Sequence, residues 1–163
     1  MATKQKNKIF LISVLIFIFF VLLLALVIEY GLNHQPCKLC IYERVPYFLS
    51  ALLIIKILLF NKNEKITLLI ISLTFFIGFL LSFYHFGIEQ GFFRESFACT
   101  TADIEKTLTK EDLLKELKNN NIISCKDVSF RILGLSLATI NTIFSLGLSV
   151  IFAKLFKDYG KNK

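Results

Sequence analysis

Hydrophobic and polar positions divide the chain into four long apolar runs separated by polar stretches. The runs lie at Ile9 to Tyr30, Val45 to Phe60, Ile66 to Ile88 and Arg131 to Phe156. A helix rises about 1.5 Å per residue, and about 20 apolar residues cross a hydrocarbon core roughly 30 Å thick. The first, third and fourth runs reach that length. The second falls short, so its helix is expected to start upstream, near Cys40 to Tyr42, with Lys56 snorkelling at the far end. The pattern predicts helices at about 9–30, 41–60, 66–88 and 131–156, with outer loops at about 31–40 and 89–130. The expected fold class is all-α. A single domain over residues 1–163 forms an integral membrane antiparallel four-helix bundle with two non-cytoplasmic cysteine-bearing loops.

Composition agrees with this reading. A chain of 163 residues that is 55% hydrophobic, with 18 Phe and mean hydropathy +0.66, is too apolar to hide its side chains in one small soluble core. The basic start (Lys4, Lys6, Lys8) also suits a signal peptide, but the apolar run exceeds a typical leader core and "VIEYGLNHQ" offers no A-x-A cleavage site. A retained helix is therefore expected. The start, the connector "NKNEK" (Asn61 to Lys65) and the tail from Lys154 to Lys163 are basic and fall on one side if all four helices span. The lysine excess of these short segments predicts cytoplasmic termini. All four cysteines, Cys37, Cys40, Cys99 and Cys125, then fall in the two outer loops, where disulfides form and persist. A monomer is expected, with no nucleic-acid partner.

Two features inside these segments shape the expected packing. The fourth run carries Gly134 and Ala138 at small-xxx-small spacing, then Ser145 and Ser149, which would let a neighbouring helix approach closely. Asn141 sits near its middle, where interhelical hydrogen bonding is the plainer reading and contact with a ligand the other. In the long loop, "TKEDLLKEL" (Thr109 to Leu117) has the capping residue, acidic first turn and apolar face of a short helix, lying on the membrane surface or against the bundle.

The chemistry concentrates in "NHQPCKLCIYERVPYF" (Asn33 to Phe48). Cys37 and Cys40 form a Cys-x-x-Cys motif, whose spacing allows a strained, easily reduced disulfide. A helix N-terminus and a cation both lower a thiol pKa, and Arg44, one turn after Cys40, is the expected cation. It is also able to donate to a carbonyl oxygen of a bound acceptor. No flavin, haem or iron–sulfur motif is present, so electrons leaving the pair need a carrier that partitions into lipid, and a quinone fits. Tyr42, Tyr47, Phe48 and the stretch Phe83 to Glu89 are the expected walls of its pocket. His85 is a candidate to hydrogen-bond a quinone oxygen or relay a proton, against the plainer reading of a packed histidine. Taken alone, Cys99 and Cys125 read as a structural staple, worth roughly 2–4 kcal/mol, but with a redox-poised pair in the facing loop an exchange relay becomes the better reading. A four-thiolate zinc site is the runner-up, disfavoured because Cys99 and Cys125 lack knuckle spacing; no metal is expected. A tetraspan scaffold with purely structural disulfides is the other alternative.

These motifs resemble the DsbB family of membrane thiol oxidases. The resemblance rests on "PCKLCIYER" (Pro36 to Arg44), "FYHFGIEQGFF" (Phe83 to Phe93), "ACT" (Ala98 to Thr100) and "SCKDVSFRILGLSLATIN" (Ser124 to Asn141), in order across all four helices and both outer loops. It implies a protein-disulfide:quinone oxidoreductase of a Gram-negative inner membrane whose partner is a periplasmic DsbA-like thioredoxin-fold protein. By the same resemblance, the partner attacks the Cys99–Cys125 disulfide at Cys99 and Cys125 exchanges with Cys37. Cys40 then passes the electrons to ubiquinone or menaquinone, with Arg44 holding the quinone. The vitamin K epoxide reductase family also joins thiols to quinones, but its quinone-facing pair belongs late in the chain, whereas here it precedes the second helix.

Overall fold

The computed structural model describes residues 2–33, 36–60, 63–94, 99, 125–126, 131–132 and 134–161. Helix α1 (Ala2–Leu26) continues as a π-turn (Val27–Gly31). A short α2 (Lys38–Tyr42) precedes α3 (Val45–Phe60), and α4 (Glu64–Glu89) and α5 (Leu137–Lys161) complete the helices among the described residues. Strands β1 (Arg131–Ile132) and β2 (Leu135–Ser136) pair antiparallel just ahead of α5. Lys8–Gly31, Glu64–Glu89 and Leu137–Tyr159 are each long and apolar enough to cross a membrane. With α2 and α3 as the fourth rod, the chain is the all-α, four-helix membrane bundle that the apolar runs predict. The helix expected at Thr109 to Leu117 lies outside the described residues.

The second rod differs from the sequence reading in an instructive way. Its first turn begins at Lys38, earlier than expected, and the helix then breaks at Glu43 and Arg44. Pro46 is the cause: it has no N–H for the Tyr42 carbonyl, and its ring crowds that turn. Tighter bonds bridge the gap, from Arg44 N to Ile41 O (3.1 Å) and from Tyr47 N to Arg44 O (3.1 Å). At about 1.5 Å per residue, the 16 residues of α3 span only about 24 Å, so the rod reaches membrane thickness only with α2.

The fourth rod starts later than the expected 131. Gly134, at φ +84°, turns the β1–β2 hairpin, a conformation that favours glycine. Ser136 then caps α5, its hydroxyl accepting from the Thr139 amide at 3.2 Å. Gly134 therefore lies outside the helix, and the buried small face of α5 consists of Ala138, Ser145 and Ser149. Ser149 and Ser72 each donate to the other's carbonyl (3.1 and 3.0 Å), which draws α4 and α5 together. Gly78 of α4 is so close to α3 that an added Cβ would stand 3.2 Å from Pro46.

All four rods contribute to one apolar core, including Ile18, Leu22, Ile54, Ile71, Phe75 and Phe152. Outward positions such as Ile16, Phe19, Leu52 and Ile77 are exposed and apolar, a surface that lipid would cover. Lys65 lies over the Phe156 ring and Phe10 packs on Phe152, so the first half of α1, the start of α4 and the end of α5 share one end of the bundle. The cysteines occupy the other end. There α4 closes in a Schellman motif, with Phe92 N bonded to Gly87 O (2.8 Å), Gly91 N to Ile88 O (3.0 Å) and Gly91 at φ +78°.

Candidate functional site

Cys37 stands in extended backbone at the start of α2, and its sulfur accepts the Cys40 amide at 3.3 Å. The three-residue step brings the Cys37 and Cys40 sulfurs to 2.8 Å, and both cysteines are free. A disulfide is about 2.05 Å long, so closure needs less than about 1 Å of approach. Cys37 is buried and Cys40 half-buried. Cys99 and Cys125 are bonded to each other, and both are buried. They share an apolar cluster with Cys37, Leu39 and Ile88, against which Cys40 and Tyr84 pack. The structure thus gathers all four cysteines at one place.

His85 comes to the same place from α4. Its Nε2 lies 3.6 Å from the Cys37 sulfur, and its Nδ1 lies 2.8 Å from Glu43 Oε1. The break before α3 turns Glu43 into the bundle, where it is buried and accepts from Asn141 Nδ2 at 2.7 Å. Asn141 in turn accepts from Tyr47 Oη at 2.5 Å. Glu89 Oε1 stands 3.9 Å from His85 Nε2, and Glu89 Oε2 has no hydrogen-bond partner among the described residues. Asn141 is therefore an interhelical linker, as its plainer reading expects, and Tyr47 faces inward rather than walling a lipid-side pocket.

These neighbours act on the charge of Cys37. The Cys40 thiol beside it holds the Cys37 thiol far below the ordinary range, at about 4. Burial opposes this, while the hydrogen bond and field of His85 and the Cys40 amide assist it. These contacts favour the thiolate form of Cys37. Arg44, the cation expected beside the motif, pairs through its Nη1 with Glu29 Oε2 at 2.6 Å, both side chains being about one-fifth exposed. Glu29 reaches it from the π-turn at the end of α1.

Glu29 and Glu43 escaped the sequence reading. The signal was present, because a carboxylate inside or against an apolar run is costly and usually serves a purpose. The sulfur and imidazole donors of Cys37, Cys40 and His85 lie within 4.8 Å of one another, a spacing that a metal ion also uses. Two thiolates on one tetrahedral zinc, however, stand about 3.8 Å apart, given bonds of about 2.3 Å. The 2.8 Å contact suits disulfide closure better. A four-thiolate site would also require Cys99 and Cys125 to be unbonded.

A helical membrane bundle that presents a free cysteine pair to a second, bonded pair is a membrane thiol oxidoreductase in class. Residues 7–155 match the family model for disulfide bond formation protein DsbB, and the chain belongs to the DsbB family. It is also similar to an uncharacterized protein of Rickettsia prowazekii (strain Madrid E), RP370, at 28% identity over 160 residues, covering 98% of this chain and 92% of that one. No solved structure matches the chain.

Proposed function

We propose that this protein is a protein-disulfide:quinone oxidoreductase of the bacterial inner membrane, re-oxidising a periplasmic DsbA-like thioredoxin-fold protein. Both termini and the lysine-rich end of the bundle face the cytoplasm, and the cysteine end faces the periplasm. The observation that carries this reading is the packing of Cys37, Cys99 and Cys125 in one buried cluster with Cys40 against it. Thiol–disulfide exchange needs a sulfur to reach another pair's disulfide, and that cluster removes most of the search.

In the proposed sequence, the partner's thiolate attacks Cys99 and releases Cys125 as a thiolate. Cys125 attacks Cys37 of the oxidised Cys37–Cys40 pair and releases Cys40. Resolution of the two mixed disulfides returns an oxidised partner and a reduced Cys37–Cys40 pair, the state seen here with Cys99–Cys125 closed. The net exchange is partner dithiol plus quinone to partner disulfide plus quinol, in which two electrons and two protons move. A bound quinone supplies a two-electron sink that stays in the lipid.

The residues present fit such an acceptor. Among the described residues Arg44 commits one guanidinium nitrogen, Nη1, to Glu29, leaving N–H donors for a carbonyl oxygen. Ile41, Tyr42, Val45 and Phe48 are exposed beside it and form an apolar rim open to lipid. Arg44 would hold the acceptor and Cys40, the more exposed of the two free cysteines, would meet it. The test is a coupled assay of purified protein, reduced DsbA-like protein and ubiquinone or menaquinone analogues. Catalytic loss of quinone absorbance that disappears in Cys37→Ser and Cys99→Ser is expected. Wild-type quinone turnover in Cys40→Ser would sink the proposal.

A further inference from the structure

We propose that Glu43 and Asn141 are positioning residues that hold His85 with Nε2 as the proton acceptor for the Cys37 thiol. The role deepens the oxidase reading and rests on it for its purpose, but its geometry stands independently. The Asn141 carbonyl oxygen can only accept, and Tyr47 Oη (2.5 Å) and Ser145 Oγ (3.3 Å) both face it. Its amide nitrogen must then face Glu43 Oε2, where it donates at 2.7 Å. A flipped amide would set a carbonyl against a carboxylate.

The other Glu43 oxygen meets His85 Nδ1 at 2.8 Å. An ionised carboxylate only accepts, so the proton of that bond belongs to Nδ1. The lone pair of the neutral ring is thereby placed on Nε2, 3.6 Å from the Cys37 sulfur. Proton transfer converts Cys37 S–H and neutral imidazole into thiolate and imidazolium. No electrons move, and the Cys37–His85–Glu43 group keeps a net charge of −1 throughout. Low-dielectric surroundings make this balance matter: Glu43 is 7% exposed, His85 3% and Cys37 6%.

The remaining groups facing this pair are few among the described residues. Glu89, on the same helix as His85, stands 3.9 Å from Nε2, and Cys40 lies against Cys37. From α3 the titratable neighbour is Tyr47, from α5 only the uncharged Asn141 and Ser145 reach in, and Arg44 is turned to Glu29. The Pro46 break is what delivers Glu43, because it frees the residue from a continuous helical face.

The test uses the full-length reduced protein in detergent, pulsed with iodoacetamide from pH 4 to pH 9, the Cys37 adduct being quantified by peptide mass. Glu43→Gln and His85→Gln are expected to move the midpoint of Cys37 reactivity up by at least about one pH unit. Asn141→Ala should move it the same way by less, and Glu43→Asp should restore part of the shift. A merely structural role would not shift a titration midpoint in folded protein and recover it with the shorter acid. Unmoved midpoints in Glu43→Gln and His85→Gln would overturn the assignment. If Glu43→Gln fails to fold, His85→Gln and Asn141→Ala decide it in the same way. The readout needs neither quinone nor partner. Shifted midpoints without any quinone turnover would therefore count against the oxidase reading alone, and unshifted midpoints with normal turnover against this inference alone.

Discussion

At Cys37 the Cys40 amide, the Cys40 thiol and His85 converge on one sulfur, and its chemistry at low pH should show it. With a pKa of about 4, the thiol is ionised above that value and loses its reactivity only as pH falls through it. An ordinary thiol at about 8.5 is nearly all protonated at pH 6. Brief alkylation of reduced protein at pH 6 should therefore mark Cys37 in large excess over Cys40, as peptide mass will show. Arg44→Ala should raise the KM for quinone by an amount worth about 1–3 kcal/mol, measured in the coupled assay, because a charge-assisted hydrogen bond is lost. The four cysteines, Arg44 and His85 could all be singled out from spacing and residue type. Their pairings could not, because Arg44 finds Glu29 and His85 finds Glu43 across 15 and 42 residues of chain, and no local pattern records such contacts.

At the scale of elements, the apolar runs made the helices legible because lipid-facing and core-facing positions are both apolar, leaving length as the main signal. Their ends were harder to read. Gly134 at small-xxx-small spacing looked like helix packing, yet its positive φ serves a hairpin, and Ser136 is the true cap of α5. Pro46 near the start of the second rod was a visible breaker, but its consequence, Glu43 turned inward, depends on α4 and α5 being there to receive it. The close approach of α3 to α4 permits a direct test. At Gly78 even a Cβ would stand 3.2 Å from the Pro46 ring, so the side chain of Gly78→Leu must push the helices apart. Overpacking of this kind costs about 1–3 kcal/mol. A lower midpoint of thermal unfolding in detergent is expected, together with weaker protection of Cys37, since displacement of α3 loosens the Glu43 contact. An unchanged melt would mean that the helices separate freely at this crossing.

Across the whole molecule, polarity is divided between the two ends of the bundle. One end holds the start of α4 and the end of α5, with Lys65 over the Phe156 ring, and the opposite end holds the sulfurs. With Cys37, Cys99 and Cys125 buried in a single cluster, the proposed exchange between the pairs would be a matter of small local displacement rather than loop diffusion, which gives a prediction independent of any partner or quinone. In the double variant Cys40→Ser, Cys99→Ser, the remaining cysteines are Cys37 and Cys125, with no disulfide of their own to return to. Mild oxidation should then join them as an intramolecular disulfide, detected as a single cross-linked peptide by mass spectrometry under non-reducing conditions. The yield should stay high on dilution, because the reaction is intramolecular and its effective concentration is set by the fold. Dimers linked through Cys37 or Cys125, or thiols left free after oxidation, would mean that the cluster holds the pairs side by side without letting their sulfurs meet. The Cys99–Cys125 bridge would then be a staple for the long loop, and electrons would have to reach Cys37 directly from a bound partner.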